Sequence, residues 1–304
     1  MVAALKLAIT GATGFVGARL LDAALAGGHT VCALTRRPQP ARDGITWVDG
    51  ALDRPFSLAA LVDDADAVIH VAGLVNAPDV AGYEAGNVIG TGAVLAAAEK
   101  AGTSRFVHVS SLAAREPSLS LYGASKARSE ALVVASPLAT AIVRPPAIYG
   151  PGDRELLDMF KMAARGLVLL PPPGRLSLLH ADDLARLLLA LAAPAAPSGM
   201  TLEPDDGHSG WTHVEFGKAL GAAVGRKVRT ISMPRLALAA AARADRLLRG
   251  SRAKLTPDRA AYFSHPDWVA DPARAVLSEL WAAQIPTEQG LADTAKWYRA
   301  AGWL

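Results

Sequence analysis

Through the first half of the chain, short apolar runs alternate with longer stretches in which Ala and Leu recur at helical spacing. The runs Leu5–Ile9, Thr30–Leu34, Ile45–Val48, Ala67–Val71, Phe106–Val109 and Ala139–Val143 are almost unbroken in hydrophobicity. That is the pattern of parallel strands covered on both faces. Between them, Phe15–Ala26, Pro55–Val62, Val80–Ala101 and Ser120–Ala135 predict helices. Such alternation predicts a doubly wound parallel α/β sheet. Past Gly150 the texture changes. Pro171-Pro172-Pro173-Gly174 marks a loop, Asp182–Ala193 a helix, and Met200–Leu202 a strand returning to the first sheet. Glu288–Leu304 predicts a terminal helix whose Trp297, Tyr298 and Trp303 pack back on the body.

Composition narrows the picture modestly. A chain of 304 residues fits one large or two linked domains, and 51% hydrophobic residues can bury a sizeable core. The 31 basic residues are scattered among 28 acidic ones for a net charge of +3, so composition makes no case for nucleic acid. From Pro234 to Lys254 five Arg and one Lys face one Asp. At helical angles these charges form no single face, which predicts a solvated surface rather than a patch for an anionic substrate or a membrane. Cys32, the only cysteine, cannot form an internal disulfide and fits a reducing cytoplasm. The apolar start is too short for a signal sequence and runs straight into a glycine loop, as a buried first strand would. The stretch Leu184–Ala196 contains Arg186 and Pro194 and falls short of a membrane span. The expectation is a soluble, cytoplasmic protein.

The glycine loop carries the first chemical signal. In T-G-A-T-G-F-V-G, Gly11, Gly14 and Gly17 follow a predicted strand and precede a predicted helix. Glycine lets the backbone turn off the strand and approach a pyrophosphate, while N–H groups of the first helical turn face the anion. Thr13, Phe15 and Val16 belong to the same loop and first turn. Arg36 stands nineteen residues beyond Gly17 with no acid nearby. An acidic residue there would accept bonds from a ribose 2′-hydroxyl. An arginine offers a planar fork for a 2′-phosphate. The cofactor expected is therefore NADP, with NAD as the alternative. Leu52 and Asp53 follow the third strand, where Asp53 can meet an adenine amino group. Ala72 and Gly73 end the fourth strand with small residues and leave room for the adenosine half. His70 just before them reads as a satisfied core histidine rather than a catalyst.

The second signal is L-Y-G-A-S-K. Tyr122 and Lys126 are four residues apart and share a helix face. A lysine ammonium beside a phenol, with a positive nicotinamide, is expected to lower a phenol pKa near 10 and make Tyr122 a general acid in reduction or base in oxidation. Ser111, in the Ser110-Ser111 pair that closes the preceding strand, would hold the substrate oxygen. No residue is assigned to a metal.

These motifs together resemble the extended branch of the short-chain dehydrogenase/reductase superfamily, the group of NAD-dependent epimerases and dehydratases. The resemblance spans nearly the whole chain through T-G-A-T-G-F-V-G, H-V-A-G, Asn87 in N-V-I-G-T, V-S-S, Y-G-A-S-K, R-P-P-A-I-Y-G-P-G-D and H-A-D-D-L-A. It implies a Rossmann dinucleotide-binding domain over residues 1–150 and a smaller substrate domain over 151–304, with 198–225 returning to the first sheet. It also implies Ser111, Tyr122 and Lys126 as a catalytic triad, Pro145 to Ile148 along the nicotinamide, and a two-helix face through which such chains commonly form homodimers.

Two departures bear on the reaction. Sugar-nucleotide members carry an arginine that grips the diphosphate, and Leu176 falls at that position, with Arg175 adjacent. Dehydratase members place an acid pair after the catalytic Ser or Thr, whereas Leu112-Ala113 follow Ser111 here. With Arg36, these lean toward an NADP-dependent reductase of a small, fairly apolar carbonyl compound. A nucleotide-sugar epimerase is the alternative within the family. A non-catalytic dinucleotide-binding redox sensor or assembly factor is the alternative outside it, and an intact triad argues against that one.

Overall fold

A computed structural model describes residues 4–250, 253 and 255–304. Arg252 and Lys254 of the basic stretch lie outside the described residues. The chain divides into two compact units. The first comprises Met1–Pro145, Ala181–Glu203 and Val276–Ala282, and the second Pro146–His180, Pro204–Ala275 and Ala283–Leu304.

The first unit is built on strands β1 (Lys6–Thr10), β2 (Thr30–Thr35), β3 (Ile45–Asp49), β4 (Ala67–His70), β5 (Arg105–Val109) and β6 (Ala139–Val143). Together with Met200–Leu202 they form one seven-stranded parallel sheet in the order 200–202, β6, β5, β4, β1, β2, β3. The order runs outward in both directions from β1 and β4, so the crevice where doubly wound folds take ligands opens between those two strands. Helices α1 (Phe15–Ala26), α2 (Pro55–Val62), α3 (Val80–Tyr83), α4 (Gly90–Ala101) and α5 (Leu121–Ala135) cover the sheet, joined by Ala181–Ala192, which packs beside α1. The central strands are buried on both faces, as their unbroken hydrophobicity requires. Leu58, Leu61, Val68, Val94, Phe106 and Val133 form the core between the sheet and α2, α4 and α5.

One helix differs from expectation. Val80–Ala101 is not a continuous α-helix, because the turn Glu84–Ile89 is wound as a π-helix between α3 and α4. Hydrophobic spacing cannot reveal such a turn, since one wider turn only shifts the phase of the residues beyond it.

The second unit has a core of Tyr149, Phe160, Leu178, Trp211, Phe216 and Tyr298, with three small sheets. Its terminal helix is Thr287–Ala300. Tyr298 is fully buried and stacks on Trp303, and Trp297, 36% exposed, sets its ring edge-on against both at centroid distances of 5.9 and 5.0 Å. No helix among the described residues is long and apolar enough to cross a membrane.

Candidate functional site

The loop after β1 has the geometry its glycines imply. Gly11 has φ of +72°, and a Cβ there would lie 2.7 Å from the backbone nitrogen of Ala72. A Cβ on Gly17 would lie 2.0 Å from the Gly11 carbonyl oxygen, so only glycine lets α1 start this close to the loop. Gly14 is the N-cap of α1 and supplies no side-chain cap, leaving the first-turn N–H groups to an external acceptor. Thr13 and Gly14 are exposed, and Phe15 and Val16 half-buried. This cradle fits a dinucleotide pyrophosphate. Thr10 fixes its edge: its hydroxyl bonds His70 Nδ1 at 2.7 Å and accepts from the Ala72 N–H at 3.2 Å. His70 Nε2 meets Thr91 at 3.0 Å, and burial pushes the ring's pKa down to about 3. It is a neutral core histidine.

At the end of β2 Arg36 and Arg37 are both exposed. The Thr35 hydroxyl donates to the Arg37 carbonyl at 2.6 Å and holds the turn that presents them. Asp53 is exposed before α2, and Leu52 packs against Gly90, where a Cβ would come within 2.7 Å of Leu52 Cδ1. Ala72 and Gly73 follow β4, with the Ala72 backbone directly against Gly11 of the glycine loop.

Ser111, Tyr122 and Lys126 are brought together by two tight contacts. Ser111 caps the short 3-10 turn Leu112–Arg115, its hydroxyl accepting from the Ala113 N–H at 3.2 Å. Ser120 caps α5 in the same way through Gly123 at 3.0 Å. A Cβ on Gly123 would sit 2.5 Å from the Ala113 carbonyl oxygen, so this glycine lets α5 lie against the turn and puts Tyr122 beside Ser111. Their hydroxyls are hydrogen-bonded. Lys126 Nζ donates to the Val109 carbonyl at 2.7 Å. It also lies 3.7 Å from where a Gly73 Cβ would be, which ties the cluster to the end of β4. The Leu112 N–H bonds the Pro145 carbonyl at 3.1 Å, bringing the end of β6 to the same turn. Ile148 lies in the second unit, in the strand Ala147–Tyr149 paired with Leu178–His180.

The electrostatics correct one expectation. Burial pushes the Tyr122 phenol up to about 12, outweighing the bond from Ser111 that acts to lower it, with Tyr83 adding to the rise. Lys126 is pushed down to about 8 by burial, against the opposing pull of Glu130. The lysine therefore does not acidify the tyrosine of the protein alone. Desolvation disfavours the charged form of both groups, and here it is the largest influence on each.

Three features went unread in the sequence. Asn87 carried no assigned role, yet its amide donates to the Leu74 carbonyl at 3.0 Å and to Ser125 Oγ at 2.8 Å and accepts from the Leu74 N–H at 2.6 Å. It thereby clamps the segment after β4 to α5. The π-turn sets that reach, and its only sequence trace is the motif N-V-I-G-T. Behind the triad, Glu130 accepts from Ser110 and takes a two-point ion pair from Arg144 at 2.6 and 2.9 Å. Arg144 also reaches Glu203 at 3.2 Å, and Arg115 meets the same carboxylate at 3.2 Å. Glu130 stands one helical turn after Lys126, and Arg144 directly precedes Pro145. Only the fold unites them.

Residues 7–201 match the sequence model of the NAD dependent epimerase/dehydratase family. The chain is 38% identical over 307 positions to the ceramide reductase of Caulobacter vibrioides (strain NA1000 / CB15N), covering 98% of this chain and 96% of that protein. It is 33% identical over 187 positions to the 2-alkyl-3-oxoalkanoate reductase of Stenotrophomonas maltophilia (strain K279a), covering 53% of this chain and 56% of that one. In fold it matches the Bordetella bronchiseptica enzyme WbmG in complex with NAD and UDP, with a TM-score of 0.76 and 19% identity over 99% of this chain and 97% of that one. It also matches the UDP-N-acetylglucosamine 4-epimerase of Bacillus cereus, with a TM-score of 0.71 and 19% identity over 97% of each chain.

Proposed function

Because the chain belongs to the NAD dependent epimerase/dehydratase family, and so is an NAD(P)-dependent enzyme of the reductase, dehydrogenase or epimerase kind, we propose that it reduces a keto group on an apolar, ceramide-like lipid with NADPH. The observation that carries the reading is the Ser111–Tyr122–Lys126 cluster with its phenol held near a pKa of 12. A phenol of that kind is protonated throughout the neutral range and serves as a proton donor, which is what carbonyl reduction asks of it.

The glycine loop, Lys126 and Arg36 hold the cofactor in this reading, with Arg36 on the 2′-phosphate. When bound, the cofactor supplies hydride to the carbonyl carbon. Ser111 orients the carbonyl oxygen, and Tyr122 Oη transfers its proton to that oxygen as the C=O double bond becomes a C–OH single bond. Lys126, protonated below pH 8, favours the phenolate this leaves behind. Asn87 and the Glu130–Arg144 pair keep α5 and the end of β5 in place while this happens. Leu112 and Ala113, both buried, offer no acid for water elimination. For the substrate, Leu176 brings no charge to a diphosphate, and Arg175 is engaged by the carbonyls of Ser209 at 2.8 Å and Gly210 at 3.1 Å. The identity with a ceramide reductase across both whole chains supports a lipid substrate.

The test is NADPH oxidation in the presence of a keto-ceramide, a short-chain ketone and UDP-sugars. The expected result is turnover of the keto-lipid, its loss in Tyr122→Phe, and unchanged NADPH affinity in that variant, because the ring remains and only the proton is gone. Thermal stabilisation by a UDP-sugar, lost in Arg175→Ala, would replace this reading with the epimerase.

A further inference from the structure

The helix Arg235–Arg249 in the second unit does something the charge count alone concealed. Its inner ridge is Leu238 and Ala242, packed on Ala260 with Met233, Leu255 and Phe263 around them. At about 100° per residue, Leu236 and Leu247 fall on the side opposite that ridge, with Leu248 on the same outer arc. All three are 86% exposed. The residues between them on this arc are alanines, also exposed. The arginines were expected to form no single face. Within the helix as it ends at Arg249, Arg235, Arg243 and Arg246 fall along one flank, between the buried ridge and the leucines. Arg235 also donates to the Ser264 carbonyl at 3.2 Å, and Arg249 falls at the angle of the ridge itself, in the last turn. The only acid of the helix, Asp245, lies at the inner edge, where it bonds the Leu255 N–H at 2.9 Å and pairs with Arg249 at 3.2 Å.

A single exposed leucine is ordinary. Three leucines on one uncharged outer face, bordered by a row of guanidinium groups, are the layout of a helix that lies in a membrane interface, with its apolar face among acyl chains and its cations at the headgroups. A protein partner of ordinary composition would need a complementary apolar groove edged with carboxylates. An anionic bilayer supplies both halves at once.

We propose that Arg235–Arg249 docks the protein reversibly on anionic phospholipid membranes, with Leu236, Leu247 and Leu248 inserted and the arginine flank on lipid phosphates. The proposal rests on the helix alone and holds whatever reaction the first unit performs. It places the enzyme at the surface where an apolar substrate would be met.

The test is co-sedimentation of the full chain, without substrate or cofactor, with phosphatidylcholine vesicles lacking or containing phosphatidylglycerol. Binding is expected only where phosphatidylglycerol is present, weakening as salt screens the arginines. Leu236→Glu combined with Leu247→Glu is expected to reduce binding about tenfold or more, and Arg243→Glu with Arg246→Glu to do the same. Neither pair should alter the melting temperature, because all four side chains are exposed. Equal binding to neutral vesicles, or no binding to either, overturns the proposal. So does a leucine variant that changes the oligomeric state in size-exclusion chromatography while still sedimenting with vesicles, which would make the helix a contact between copies of the chain.

Discussion

Replacing Lys126 by Met should make the protein less capable and, near neutral pH, no less stable. Burial lowers the ammonium from 10.5 to about 8. At about 1.4 kcal/mol per pH unit, holding that charge in the fold costs about 3 kcal/mol relative to the unfolded chain. The sign comes from proton counting. Between pH 8 and 10.5 the unfolded lysine keeps a proton that the folded one releases, so wild-type stability rises with pH across this window. The cost is fully present below pH 8 and gone above 10.5. Methionine removes it at every pH but leaves the Val109 carbonyl without its 2.7 Å donor, a pH-independent loss of about 1–3 kcal/mol. Near pH 7 the two effects roughly offset or slightly favour the variant. Near pH 10.5 only the loss remains. Urea unfolding of both proteins at several pH values measures the difference, in which groups common to both cancel. The expected change in that difference is about 3 kcal/mol in favour of the wild type as pH rises from 8 to 10.5. A difference that stays flat would refute the reasoning. One that moves the other way would mean that Glu130 holds the lysine charged more strongly than burial opposes it.

Under the proposed reading NADPH affinity should be steady below pH 8 and fall above it as Lys126 loses its charge, measured by fluorescence titration; pH-independent binding up to pH 10 would remove Lys126 from the cofactor site. Arg36→Ala should cost about 1.5–3 kcal/mol of NADPH binding and leave NADH binding nearly untouched; calorimetry giving equal affinities for the two cofactors in the wild type would refute the assignment. Arg144→Met should destabilise the first unit by about 3–5 kcal/mol, because the buried carboxylates of Glu130 and Glu203 both lose a partner. Glu130→Gln should cost less, since an amide oxygen still accepts from Arg144. A melting temperature for Arg144→Met within about 2 °C of wild type would show that water or Arg115 compensates.

The sequence by itself determined the parallel sheet, because a strand buried on both faces must be apolar throughout and that constraint is written residue by residue in runs such as Ala67–His70 and Ala139–Val143. It also determined the glycine loop, where a φ of +72° at Gly11 and the close approach at Gly17 tolerate no other residue. The pairing of Tyr122 with Lys126 comes from helical spacing alone. Three things waited for the tertiary structure. The π-turn that aims Asn87 changes helix phase without changing hydrophobicity. The Ser110–Glu130–Arg144–Glu203–Arg115 network joins residues up to 93 positions apart, and charged residues carry no sequence mark of burial until their partners are known. The sign of the Tyr122 shift also lay beyond spacing arguments: proximity to Lys126 argued for a lower pKa, and desolvation, which only a folded environment sets, raised it instead. The helix Arg235–Arg249 makes the same point at the surface. Its charges looked scattered until the fold fixed where the helix stops and which ridge is buried, and only then did the outer leucines and the arginine flank separate.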